Sequence, residues 1–186
     1  MLKFIKFEPK KSNKKEKIKD ASHIILPGVG SYKSGMDKIK KKIPIDILEN
    51  EILKKGKPFL GICLGMQILS SVGYEFGKYE GLNWIEGEVK KLDVKKYVLP
   101  HVGWNEVKVE SNNSILFKNI KIDENFYFVH SYCFDSYNKE NVLATSVYET
   151  KFTSVVRKDN IFGVQFHPEK SQKSGMKLLE NFLKIK

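Results

Sequence analysis

Cys63 stands between two glycines in Gly61-Ile62-Cys63-Leu64-Gly65-Met66-Gln67, directly after a short apolar run and before a segment able to form a helix. A nucleophile on a sharp strand-to-helix turn needs small neighbours, because the backbone there is strained and pressed against adjacent chain. The same turn leaves the sulfur at a helix N-terminus, where free N–H groups and the positive end of the dipole favour a thiolate. Taken alone the pattern is weak, and a buried, inert thiol fits it as well. A second chemical stretch, Gly163-Val164-Gln165-Phe166-His167-Pro168-Glu169-Lys170, lies more than a hundred residues later. Pro168 biases His167 toward an extended backbone, in which residues two apart share a side, so His167 and Glu169 can face one cleft. A carboxylate beside an imidazole fixes its tautomer and supports the imidazolium. Thiol, imidazole and carboxylate together make a coherent nucleophilic hydrolase or transferase site.

Composition narrows what such a site can belong to. The 186 residues, 41% hydrophobic, are enough for one domain with a sizeable core, and we take 1–186 as a single domain. No apolar run approaches the roughly 20 residues of a membrane span, and the N-terminus lacks a signal-peptide core, so the chain reads as cytoplasmic, with no membrane partner. Two cysteines, Cys63 and Cys133, make no disulfide framework. A formal net charge of +11 raises nucleic-acid binding, but Arg157 is the single arginine and lysine lacks the planar fork suited to phosphate and guanine. No aromatic–basic interleaving of an RNA-binding kind accompanies it, and we expect no nucleic-acid partner.

The elements that must carry the site alternate early and turn to strands later. Residues 2–7 alternate apolar and basic, and 10–19 are polar and basic. The run 21–26 reads as a parallel strand buried on both faces, followed by Pro27-Gly28-Val29-Gly30, a loop able to turn N–H groups toward an anion or simply a tight turn. Helices are expected at 34–42 and at 44–55, the latter with Ile45, Leu48, Ile52 and Leu53 on one face and Gly56 at its end. The nucleophile elbow pairs a strand at 58–62 with a helix at 66–72. Glycine-rich turns fill 73–87, and strands follow at 88–92, 107–110, 126–134, 142–148, 153–157 and 161–166. A last helix at 174–184 buries Met176, Leu178, Leu179, Phe182 and Leu183. This order predicts an α/β sheet with an antiparallel β extension.

The segments GICLGMQ and GVQFHPEKS resemble the nucleophile and His/Glu motifs of class I glutamine amidotransferase domains. Four further stretches, LPGVGSY at 26–32, GLNWIEGEV at 81–89, LPHVGWN at 99–105 and FVHSY at 128–132, resemble the glutaminase subunits of imidazole glycerol phosphate synthase in histidine biosynthesis. The resemblance runs from Ala21 to the C-terminus and implies a flavodoxin-like, open, mostly parallel sheet flanked by helices. It implies that Cys63 attacks the carboxamide of L-glutamine and that His167, oriented by Glu169, moves the protons. Leu64, Val29 and Gly30 would form the oxyanion hole, and Gln67, Glu75 or Glu80, and the backbone around His130, Ser131 and Tyr132 would hold the glutamine. The ammonia would pass to a (β/α)8-barrel cyclase subunit, against which Trp104, Asn105, Tyr132 and Lys170 would lie. Neither a cofactor nor a metal is implied, and the four histidines do not fall at metal-ligand spacings.

The sequence departs from that pattern in two places. Chains of this kind open with a strand, a glycine turn and a helix before the strand at 21, whereas only about twenty residues precede it here, so the first strand and most of the first helix are expected to be missing and the fold weakened. The short, glycine-spaced segment 73–81 resembles paralogues that feed ammonia to amidine formation on bacterial surface sugars. A glutaminase of that kind, or a truncated, non-catalytic binding subunit, therefore remains as an alternative.

Overall fold

The computed structural model describes residues 9–110 and 114–186; the alternating stretch 2–7 lies outside them. Helix α1 (Lys15–Asp20) leads into β1 (Ile24–Gly28), α2 (Tyr32–Lys42) and α3 (Ile45–Glu49). Strand β2 (Phe59–Cys63) runs into a single helical turn, α4 (Leu64–Gln67), and two short strands follow, β3 (Val72–Gly73) and β4 (Tyr79–Glu80). Then come β5 (Gly87–Lys91), β6 (His101–Val109), β7 (Glu124–His130), β8 (Tyr132–Ser136), β9 (Val142–Tyr148), β10 (Thr150–Lys158), β11 (Ile161–Val164) and α5 (Gln172–Phe182).

Seven strands form one sheet in the order β1-β2-β11-β10-β9-β6-β7, and four form a second in the order β4-β3-β5-β8. The parallel part of the large sheet is β1, β2 and β11, and the remainder is antiparallel. This is the open α/β sheet with an antiparallel extension that the residue pattern predicts. Strand β2 lies between two parallel neighbours and is buried along its whole length, which is why it reads as an uninterrupted apolar run. Its side chains alternate between two cores. Leu60 and Ile62 join Phe126, Phe128, Phe166, Leu178 and Phe182, while Phe59 joins Tyr32, Met36, Ile52, Met66 and Trp84. No helix among the described residues is long and apolar enough to cross a membrane.

Three local expectations are corrected. The helix at 44–55 is α3 followed by a π turn at Asn50–Lys54, closed by the Lys55 N–H donating to the Asn50 carbonyl at 3.1 Å. The extra residue per turn rotates the faces, so Leu53 is half exposed while the Glu51 carboxylate is buried against Lys55 and Lys57 at 2.6 and 3.0 Å. The strand at 126–134 is two strands in two sheets, β7 and β8, with Ser131 as the crossing point. In the last helix Leu178, Leu179 and Phe182 are buried, but Met176 and Leu183 are only half-buried; Gly175 and Asn181 take buried places instead.

Candidate active site

Strand β2 ends on Cys63 and α4 begins on Leu64, so the thiol sits on the turn itself. Cys63 has φ 54 and ψ −111. A non-glycine residue is held in such a conformation only when its surroundings overrule its local preference, at a cost of order 1–3 kcal/mol. The flanking glycines supply the room: a Cβ on Gly61 would lie 2.3 Å from the Gly65 carbonyl oxygen. The helix expected at 66–72 is only the turn Leu64–Gln67, because the carbonyls of Ile68, Leu69 and Ser70 accept from Leu82, Trp84, Ile85 and Asn83 instead of continuing the helix. With one turn in place of a helix the dipole has little to offer the sulfur, and its partner must be a side chain.

His167 shares a cavity with the sulfur. Its N–H donates to the Tyr127 carbonyl at 2.8 Å and its own carbonyl accepts from Ser171 Oγ at 2.7 Å, which fixes the backbone. The ring Nδ1 is 2.7 Å from Glu169 Oε1. His167 itself is extended, at φ −102 and ψ 96, as Pro168 demands, but Glu169 lies on a 3-10 turn, Pro168–Lys170. The two side chains therefore meet through this turn and not through the alternation of a continuing strand. The Cys63 side chain first, and Glu169 second, raise the His167 pKa to about 9. Burial is the largest single influence on Glu169 and works against its charge, but the hydrogen bond from His167, a backbone N–H and the nearby charges of His167 and Lys170 together outweigh it, so that carboxyl titrates below its usual range. The Cys63 sulfur also lies 3.8 Å from the Val129 carbonyl and receives the Gln165 amide N–H at 3.7 Å.

A cavity of about 520 Å³ opens over the sulfur. It brings Val29, Gly30 and Leu64 together with Cys63 and His167, and it is also lined by Gln67, Glu75, His130, Ser131, Tyr132 and Lys170. Val29 is 75% exposed and Gly30 has φ +106, so the loop after β1 stands open at the cavity mouth. Gln67 gives both amide protons to the protein, to the Tyr132 carbonyl at 2.9 Å and to Gln165 Oε1 at 3.1 Å, leaving its carbonyl oxygen to face a ligand. Glu75 Oε2 accepts the Tyr32 N–H at 2.6 Å and so also caps the start of α2. The His130 ring meets His101, Nε2 to Nδ1 at 3.0 Å.

Outside the cavity, Trp104 is 48% exposed and Asn105 Nδ2 donates to the Val147 carbonyl at 2.9 Å. Trp104 is in register with Tyr127, their rings 5.9 Å apart, and Lys170 Nζ lies 5.5 Å over the Tyr127 ring. The motifs did not single out Tyr127 or Gln165. Each carried a signal: Tyr127 is the outward position between Phe126 and Phe128, and Gln165 is the lone polar residue of an otherwise apolar run. A larger groove of about 640 Å³ beside α2 is lined by apolar residues with Lys11, Lys38, Lys42, Ser12 and Asn13, and neither Cys63 nor His167 reaches it. No group of three or more His, Cys, Asp or Glu side chains able to hold a metal occurs among the described residues.

An elbow cysteine, a His/Glu pair and this sheet order define a class. The chain belongs to the class-I glutamine amidotransferase family, whose sequence model matches residues 2–185. Imidazole glycerol phosphate synthase subunit HisH 2 of Methanococcus maripaludis is 47% identical over 185 residues, covering 99% of this chain and 91% of that one. Subunit HisH of Leptospira interrogans is 40% identical over 189 residues, covering 100% and 92%. Among solved structures, a crystal structure of a glutamine amidotransferase superposes with a TM-score of 0.72 at 19% identity, covering 97% of this chain and 89% of that one, which is a likeness of fold.

Proposed function

We propose that this chain is the glutamine amidotransferase subunit of an imidazole glycerol phosphate synthase, releasing ammonia from glutamine for histidine biosynthesis. The family membership and the HisH relatives support that reading at the level of the complex. The observation that carries the chemistry is the strained Cys63 sharing one cavity with His167, whose ring is paired with Glu169. The Cys63 thiolate attacks the side-chain carboxamide carbon of glutamine, and His167 gives a proton to the departing nitrogen. Ammonia leaves and a glutamyl thioester stays on the sulfur. Water, deprotonated by His167, then attacks the thioester, and glutamate departs as the Cys63 thiolate is expelled and the protonated His167 is restored.

The N–H groups of Leu64 and the Val29–Gly30 loop are our choice for the oxyanion donors; in other enzymes one such donor contributes about 3 kcal/mol. Gln67, Glu75 and the backbone of His130, Ser131 and Tyr132 hold the substrate. The ammonia passes to a (β/α)8-barrel cyclase subunit seated against Trp104, Asn105, Tyr132 and Lys170. The test is glutamate release from glutamine by the purified chain, alone and with its cognate barrel subunit and nucleotide ligand. Partner-stimulated release supports the reading, and Cys63→Ala must then abolish glutamine-dependent turnover by the complex while ammonia-dependent turnover persists. Survival of glutamine turnover in that variant removes the nucleophile. Complex formation without any glutamate release marks a purely binding subunit.

A further inference from the structure

Strands β6 and β7 set His101 and His130 directly opposite one another, and both are buried, at 3% and 6% exposure. The chemistry proposed above gives neither imidazole anything to do. His101 is stacked between Tyr148 and Phe128, with ring centroids 4.0 and 5.1 Å away, and Phe152 closes on both histidines. Among the described residues no carboxylate bonds to either ring; their ring nitrogens meet only each other, Tyr132 and Asn105. Burial pushes both pKa values down, that of His101 to about 4 and that of His130 to about 3. Both rings are therefore neutral near pH 7, and each has one donor and one acceptor nitrogen.

The direction of the hydrogen bonds then follows from one atom. His130 Nδ1 is 2.9 Å from the Tyr132 carbonyl oxygen, which can only accept, so Nδ1 carries the proton and Nε2 is bare. That bare nitrogen must accept from His101 Nδ1, 3.0 Å away, which leaves His101 Nε2 to accept from Asn105 Nδ2 at 3.4 Å. Gly103, at φ +141, lies between His101 and Asn105 in β6. The row runs one way, from Asn105 through His101 and His130 to the Tyr132 carbonyl. That carbonyl also receives Gln67 Nε2 at 2.9 Å. It belongs to the strip His130–Ser131–Tyr132, where the chain crosses from the large sheet to the small one and lines the cavity above Cys63. Two phenylalanines would fill the same aromatic box. What only the imidazoles supply is a directed donor to this carbonyl.

We propose that the buried His101–His130 pair is a positioning device that locks the His130–Ser131–Tyr132 wall in the pose that binds glutamine. It rests on the reading of the cavity as a glutamine site. Two measurements test it. Long-range proton–nitrogen NMR correlation on the full chain near pH 7 is expected to show Nδ1 protonated and Nε2 bare on both rings. An Nε2-protonated or averaging ring at either position overturns the directed row without any variant being made. In the complex with the barrel subunit, His101→Phe keeps the stacking but removes the donor. It is expected to raise KM for glutamine about tenfold, the loss of one buried hydrogen bond, with kcat held within about twofold. His101→Asn, whose Nδ2–H stands in for Nδ1–H, is expected to bring KM back to within about threefold of the parent. An unchanged KM in His101→Phe, or equal kinetics in the Phe and Asn variants, overturns the proposal. A parent complex that releases no glutamate overturns the underlying glutamine reading instead, and that is seen before any substitution is made.

Discussion

Gly65 lies so close beneath the Leu26 carbonyl that a Cβ built on it would come within 1.9 Å of that oxygen. The middle of β1 and the first turn after the nucleophile are therefore in backbone contact, and neither side of that contact is a flexible side chain that could yield. Gly65→Ala must push β1 away from α4. The expected cost is roughly 3 kcal/mol, the upper range for overpacking a close contact, which lowers Tm by about 6–12 °C in a chain of this size. Thermal unfolding measures it, and a variant that melts with the parent would show that the elbow has slack this geometry denies.

The His167–Glu169 pair makes a separate prediction about reactivity. Cys63 first and Glu169 second hold the His167 pKa at about 9, so the imidazolium should persist beside the sulfur through neutral pH. Glu169→Gln removes one of the two supports. The alkaline limb of Cys63 alkylation by iodoacetamide is expected to move toward neutral pH, with glutamine turnover down about tenfold or more. Cys133 stays silent in this assay, because burial pushes its thiol up to about 12. An alkylation profile that the substitution leaves in place would mean that Glu169 does not act on the imidazole.

How far the sequence alone could lead depended on whether the deciding contact was local. The elbow was legible because its demands fall on Gly61, Cys63 and Gly65 themselves, and the extended His167 because Pro168 is its neighbour. The helix expected at 66–72 was not, because the carbonyls of Ile68 to Ser70 are claimed by N–H groups of Leu82 to Ile85, a choice no local propensity encodes. The run 126–134 looked like one strand because its apolar residues are continuous, yet Ser131 divides it between two sheets. That division is what turns the run into a cavity wall. Leu53 came out on the wrong face for a smaller reason: one π turn breaks the 3.6-residue period on which the assignment relied. The His101–His130 row could not be read at all, since it depends on the pairing of β6 with β7.

The exposed Trp104 and the half-buried Tyr127 form an aromatic pair in register, with Lys170 over the Tyr127 ring at the cavity rim. Large aromatics half out of water and backed by a rigid sheet are the residues that dominate binding when a partner covers them. Trp104→Ala is expected to weaken association with the barrel subunit about tenfold or more. The isolated chain should lose little, with Tm within about 2 °C of the parent, as befits an exposed position. Titration calorimetry and thermal unfolding on the same preparation separate the two effects. Unchanged affinity would move the partner surface elsewhere.

The histidines also set the pH range in which the fold is most stable, with opposite signs at the two ends. His101 and His130 drop from 6.5 to about 4 and about 3 on folding, so their contribution is present above pH 6.5 and is lost as pH falls through those values. Glu169, lowered in the fold, adds to the same acid loss. His167 rises from 6.5 to about 9, so its contribution is complete below pH 6.5 and is lost as pH climbs toward 9. Stability is therefore expected to peak near pH 6.5 and to fall on both sides. Tm measured across pH 4 to 10 checks this, with two variants as internal controls. His101→Phe should flatten part of the acid limb, and Cys63→Ala, which removes the larger of the two supports of the imidazolium, should flatten part of the alkaline one. A Tm that rises steadily from pH 6.5 to 9 in the parent would mean that His167 is not held in its charged form.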